Sequence, residues 1–475
     1  MITFILSLAI LLAGYIFYSR YLERTMEVDP NRPTPAVSMS DGVDFVPMPW
    51  WRVLLIQFLN IAGLGPIFGA IAGALWGPVA FVWIVLGTVF AGAVHDYFSG
   101  MLSVRHNGLS ITEVIGIYLG NITKQLMRIF TIVLLVLVGV VFISGPAGIL
   151  ANLTPATLDF RFWVWVIFFY YILATLLPID KIIGKIYPVF GFALLFMAAS
   201  LIIALIIKGY AIPELTSENW RNFHYDKEKF PIFPMLFITI ACGAISGFHA
   251  TQSPLMARCM KNEKEGRKVF YGAMVIEGVV ALIWAAISMS FFGGVRELGE
   301  MMVAQKGNAA WVVNEISNSL LGKFGAILAI LGVVAAPITS GDTAFRSARL
   351  TVGDLLRFNQ KPIRNRLIIT IPLFAVGFLL TKINFDVVWR YFAWSNQTLA
   401  TVVLWTITVY LFQKRKPYWI TLLPALFMTA VVTTYIMLAP EGFALSKPFS
   451  YATGFAVTAL VFSTFLFYTR NKTDD

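Results

Sequence analysis

Long apolar runs separated by short polar connections occupy almost the whole chain. Thirteen are delimited: 2–19, 52–75, 77–102, 125–150, 161–179, 186–207, 231–257, 268–293, 323–345, 364–381, 385–412, 418–439 and 449–468. Runs of roughly 18–25 apolar residues cross the ~30 Å hydrocarbon core of a bilayer when wound as helices. In lipid, a helix also satisfies its own backbone polar groups, which an irregular segment cannot do. The pattern predicts an all-α integral membrane protein of about thirteen transmembrane helices.

Two of these runs are broken in mid-span. One extends from about Val53 to Leu75 and is interrupted by Gly63-Leu64-Gly65-Pro66. The other extends from about Ile232 to Met260 and is interrupted from Gly243 to Pro254. Setting aside the first run and the last two leaves ten, of which the broken ones are first and sixth. Five spans per half is an odd number, so the halves cross the membrane in opposite directions. The result is an inverted five-plus-five repeat with two discontinuous helices, the architecture in which transporters hold substrate at the interruptions. The expected organisation is an anchor helix and loop (1–51), a first repeat (52–207), a second, inverted repeat (208–412), and two further helices with a short tail (413–475).

Composition agrees: 58% of residues are hydrophobic and 13% charged, which excludes a soluble domain and makes the lipid bilayer the first partner. Cys242 and Cys259 cannot make a disulfide framework, and metal-ligand spacings are absent from the sequence. The net charge of +11 belongs to loops and does not point to nucleic acid. Loops assigned to one side carry 25 Lys and Arg against ten on the other, which predicts the N-terminus outside and the C-terminus in the cytoplasm. The first run lacks a basic start and a small-residue cleavage site, and Arg20 and Arg24 follow it, so an uncleaved anchor is expected.

The strings DGVDFVP (41–47), FAGAVHDY (90–97), GFHATQSPLMARC (247–259), ITSGDTAFRSARL (338–350) and RYFAWSNQTLA (390–400) make the chain similar to the carbon starvation protein A family. The resemblance covers most of the chain, which is shorter than the family's long members at the C-terminal side. It implies a transporter of the cytoplasmic (inner) membrane with the LeuT/APC-like fold. It also implies import of peptides or pyruvate coupled to protons, with no cofactor beyond a coupling H+ or Na+.

The breaks carry the candidate chemistry. Pro66 suits the start of a half-helix, where amides at Gly63, Gly65 and beyond can meet a carboxylate. A glycine-packed kink is the alternative. In the second break, Ser253-Pro254 reads as a cap and first helical residue, with Ser246, Gly247, His249, Thr251 and Gln252 in the unwound stretch before it. His249 either contacts substrate or proton, or bonds a carbonyl exposed by the kink.

Glu277, deep in GAMVIEGVVALIW, either carries the transported proton or pairs with Arg390. His95 and Asp96 read as a proton relay at an inner gate or as a helix-end cap. Ala336, Thr339 and Ser340 match the span and pattern in which transporters of the superfamily that the resemblance implies place sodium, facing carbonyls near Gly63; the alternative is that the two hydroxyls bond carbonyls of their own helix. Asp342 reads as an ion- or proton-coupling acid, or as the partner of Arg346 in an ion pair on one helix face at the inner mouth. Trp389, Tyr391, Phe392 and Trp394 read as packing more than as a substrate cage.

An enzyme is disfavoured, because neither a nucleophile elbow nor an H-E-x-x-H motif occurs. A channel lacks repeated filter loops. The expected function is cation-coupled import of a small carboxylate, pyruvate or a short peptide. The alternatives are a sodium-coupled peptide or amino-acid transporter, and a nutrient sensor with little transport.

Overall fold

The computed structural model describes residues 1–473 apart from 43, 177–179, 357 and 359–361. The end of the fifth expected run, Val43 of the first matching string, and Arg357 and Lys361 of the charge pattern lie outside the described residues. The fold is all helical. Among the described residues, nine helices are long and apolar enough to cross a bilayer unaided, or ten if a pair bent by 52° counts as one broken span. In chain order they are α1 (Ile2–Met26), the bent pair α2 (Trp50–Ala62) and α3 (Gly65–Trp76), α4 (Val79–Arg105) and α5 (Ile111–Leu153). After α6 (Phe160–Leu176) and α7 (Asp180–Ile207), the second broken run gives α8 (232–239) and α9 (Gly247–Ala257). Then come α10 (Glu263–Phe291), α11 (Ile327–Gly353), α12 (Ile363–Leu380), α13 (Phe385–Gln413), α14 (Trp419–Leu438) and α15 (Lys447–Arg470). The three expected spans outside the count of ten are helical as well: α6 is short, α13 is long but polar in its first half, and α8–α9 is interrupted.

Glycines decide where the chain can bend and approach itself. Gly63 (φ +32°) turns the chain between α2 and α3, and Gly120 (φ +86°) cuts α5 into a short piece and a long span. Around the second break the helices close to backbone contact. A Cβ on Gly65 would lie 2.1 Å from the Cβ of Cys242, and one on Gly92 would lie 2.1 Å from the carbonyl of Ala244. Tight small-residue packing of this kind is how helices associate in lipid, where no hydrophobic gain separates one apolar surface from another. The two interrupted helices therefore cross at their breaks, with α4 and α10 packed alongside.

Ion pairs and backbone bonds gather the described loops into two groups. At one end the buried carboxylate of Glu263 receives Arg32 (3.0 Å) and Arg105 (3.1 Å), and Lys416 meets Glu27 (3.0 Å). Here residues 46–48, which lead into α2, pair with 258–260, which leave α9. Val46 N donates to Arg258 O (3.1 Å), Met48 N to Cys259 O (2.9 Å), and Met48 and Met260 form a parallel bridge. Thr34 and Asn262 add bonds to Met260 O (2.5 Å) and Pro30 O (2.7 Å). The other end gathers Glu214 on the chain's α-amino group, Lys447 on Glu228 (2.8 Å), and His224 against Trp76 (ring centroids 4.6 Å apart).

Candidate functional site

Unwinding at 240–246 frees backbone groups, and neighbouring helices satisfy several of them. Trp83 Nε1 donates to Ile240 O (2.9 Å) and Thr88 Oγ1 to Gly243 O (2.8 Å), both from α4. From α13, Asn396 Oδ1 accepts Phe248 N (2.6 Å) and Ser246 Oγ (3.1 Å), while its Nδ2 points to Cys242 Sγ (3.6 Å).

Asn396 corrects one expectation. It caps α9 from outside, and Gly247 has no Cβ to hold it off: a Cβ there would lie 2.3 Å from Asn396 O. The helix therefore starts at Gly247, with Ser246 extended before it, and Pro254 sits in its interior. His249, Thr251 and Gln252 are helical, not unwound. Ser253 Oγ bonds His249 O (3.0 Å) instead of capping.

Starting the helix early puts His249 in its first turn, fully buried and between two carboxylates. Its Nδ1 lies 2.8 Å from Asp96 Oδ2 and its Nε2 3.4 Å from Glu277 Oε2; the other Asp96 oxygen takes His95 Nδ1 at 2.8 Å. His95 and Asp96 stand near the middle of α4, not at its inner end, so they are neither an end cap nor at a gate mouth. They form the back of one polar chain through α4, α9 and α10. Donor atoms of Cys242, His249 and Glu277 also lie within 4.8 Å of one another, so these three residues could hold a metal ion.

Arg390 does not take part. It pairs with Glu441 at 3.2 Å, so the reading of Glu277 as its structural partner is overturned.

Several atoms here are buried without a hydrogen-bond partner: His249 Nε2, both Glu277 oxygens, His95 Nε2 and Gln252 Oε1. Burying an unsatisfied polar group costs roughly 1–3 kcal/mol, so the cluster is incomplete as a static structure. The end of α2 has the same property, with both side-chain atoms of Gln57 and Oδ1 of Asn60 unpartnered. Sequence reasoning passed over these two amides, although polar residues three apart in an apolar run were a visible signal.

At the first break, Phe142 covers Gly63, where a Cβ would meet the ring at 2.4 Å. Pro66 follows the turn, and the amides of Ile67 (3.2 Å) and Phe68 (2.8 Å) both bond Leu64 O, so they are not available to an anion. Thr339 Oγ1 and Ser340 Oγ both reach Ala336 O (2.7 and 3.1 Å), and Ser340 also donates to Leu59 O (3.0 Å). The carbonyl facing the hydroxyls is thus Leu59's, one turn before Gly63. Asp342 and Arg346 lie 3.5 Å apart as an i,i+4 pair. Trp389 and Phe392 join a wall of rings running from Phe68 to Phe142 and Phe248, with successive centroids 5.5–6.4 Å apart.

The model of the family described as "Carbon starvation protein CstA" matches residues 1–157, 150–319 and 295–435. An uncharacterized membrane protein of Haemophilus influenzae is 43% identical over 64% of this chain and 95% of its own length. "Peptide transporter CstA" of Helicobacter pylori is 26% identical over 88% of this chain and 79% of its own. "Pyruvate/proton symporter BtsT" of Escherichia coli is 29% identical over 58% and 47%. Among solved structures, a manganese transporter mutant of Eremococcus coleocola superposes with TM-score 0.53 at 15% identity, covering 91% of this chain and 98% of that one. Inward-facing Mhp1 gives 0.52 at 13%, covering 88% and 91%. At such identities the likeness concerns the fold, and it is the LeuT-like one expected from the broken spans.

Proposed function

The chain belongs to the carbon starvation protein CstA family, and from that premise we propose that it imports a small carboxylate nutrient, pyruvate or a short peptide, by cation-coupled symport. It is a multi-pass membrane protein of a bacterial transporter family and a secondary transporter. The observation that carries the finer reading is the crossing of the two breaks at Gly65 and Cys242, beside the buried Asp96–His249–Glu277 chain. Ionisable groups buried this deep, two carboxylates to one bridging histidine, are a functional hypothesis by default.

In this reading the substrate carboxylate is met at the crossing of the two breaks once Phe142 and the Gly65–Cys242 contact part, aided by the half-positive character of the N-terminus of α9. The coupling cation is matched in charge by Asp96 and Glu277, and His249 joins the two. Because these groups lie on α4, α9 and α10, occupancy by the cation alters the packing of those helices on the broken pair. The pair then rocks with α4 and α10 against the remaining spans. A proton is the preferred ion, as in the name of the pyruvate/proton symporter of Escherichia coli. We place repeats at 52–207 and 208–412, in the inner membrane, with the N-terminus outside. Sodium is the second reading, favoured by the convergence of Thr339, Ser340 and the carbonyls of Ala336 and Leu59.

Uptake of labelled pyruvate and of small peptides into proteoliposomes tests the proposal. Accumulation above equilibrium under an imposed proton gradient is expected. Accumulation driven only by sodium would move the coupling site to Thr339 and Ser340, and flux indifferent to both gradients would overturn symport.

A further inference from the structure

We infer that Cys242 Sγ, His249 Nε2 and a Glu277 carboxylate oxygen form a three-ligand site for a borderline-soft divalent cation of the zinc class. Cysteine, histidine and a carboxylate are the zinc donors, and a site with three protein ligands keeps a fourth position open. Tetrahedral zinc with metal–donor distances of about 2.0–2.3 Å sets its donors about 3.3–3.7 Å apart. The measured His249 Nε2 to Glu277 Oε2 separation is 3.4 Å, and all three donor groups fall within 4.8 Å.

Two further observations point to a ligand here. The first is the set of orphaned atoms: His249 Nε2 and both Glu277 oxygens are buried and have no hydrogen-bond partner. A cation between them satisfies His249 Nε2 and one Glu277 oxygen at once and neutralises the carboxylate. The second is the shell behind the donors. Asp96 Oδ2 holds His249 Nδ1 at 2.8 Å, which makes Nδ1 the N–H and turns the Nε2 lone pair toward Glu277. A carboxylate behind a histidine is the usual support of a histidine ligand and raises its basicity. Asn396 Nδ2, 3.6 Å from Cys242 Sγ, is placed to donate to the thiolate that metal binding creates. On binding, the Cys242 thiol releases its proton to solvent, and the S–metal bond replaces S–H.

The sequence hid this site, because seven positions separate Cys242 from His249 and Glu277 lies on the next helix. The cation would tie the unwound segment, α9 and α10 together at one point, holding the second break fixed against α10. Metal binding rests on geometry alone. The consequence, arrest of uptake, rests in addition on the transport reading above.

The test uses the full chain in detergent, stripped of metal and titrated with Cd2+, whose thiolate complex absorbs in the ultraviolet, and with Zn2+ as competitor. One Cd2+ per chain with a thiolate band is expected, removed by Cys242→Ser and fully retained by Cys259→Ser. Asp96→Asn weakens binding about 10–100-fold, as loss of a supporting carboxylate does. If Cys242→Ser fails to fold, the Cys259→Ser chain still decides, because Cys242 is then its only thiol. No band in that chain, or an unchanged band in Cys242→Ser, overturns the site. In proteoliposomes, Zn2+ should suppress uptake by the parent chain but not the residual uptake of Cys242→Ser. Failure of the parent to transport at all would sink the transport reading while the Cd2+ band stands.

Discussion

Glu277 and Cys242 sit within reach of the same histidine, yet only one could be found by reading. An acid in the middle of GAMVIEGVVALIW has no apolar explanation, so it announces itself. A cysteine in an apolar run is at home there and attracts no notice. Asn396 lay inside a matched string but received no role, because its work is to cap a helix that is distant in sequence. Glu277→Gln keeps the shape and removes the charge. Gradient-driven accumulation should fall at least about tenfold while substrate exchange across the membrane persists, which the two assays separate in one preparation. At the other end of the molecule, burial among Trp76, Tyr225 and Phe230 lowers the His224 imidazole to about 4, and Asp226 only partly offsets this. The folded state thus favours neutral His224. Its stabilising effect is complete above the ordinary value near 6.5 and is lost as pH falls toward 4. The hydrogen-exchange protection factor across 208–230, with the intrinsic pH dependence of exchange divided out, should fall between pH 7 and pH 5, and His224→Phe should flatten that dependence.

At the scale of elements, glycine and proline marked where helices break but not where they resume. Gly63 to Pro66 was legible because the run itself supplies the turn. The start of α9 was read as Ser253-Pro254 because those residues look like a cap, whereas contact with α13 starts the helix at Gly247. Tertiary capping overrides a local signal of this kind, and no periodicity within 240–257 reveals it. The close crossing gives a direct check. Gly65→Ala must push α3 away from Cys242, where the neighbouring atom is a Cβ fixed to the backbone, and should abolish most uptake. Gly148→Ala meets only Ala310, at an ordinary 3.6 Å, and should transport like the parent chain. Comparing initial rates at matched expression distinguishes the two.

For the whole molecule, the thirteen runs and their division into five and five were readable because lipid constrains composition so strongly. The loop charges sorted the connections into two sets, and ion pairs gather the described loops into two groups. Which end faces the cytoplasm is tested by labelling. A cysteine at exposed Glu218 should react with an impermeant maleimide in intact cells, and one at exposed Lys261 only after permeabilisation. The reverse order would invert the assignment.

The pairing of 46–48 with 258–260 has a mechanical meaning. It ties the entrance of the first broken helix to the exit of the second, while the same two helices cross at Gly65 and Cys242. They are like scissors with the handles bound: neither blade can swing alone on that side of the pivot. Force applied to either is delivered to both, and the slack for movement lies beyond the crossing, toward Trp76 and the start of α8.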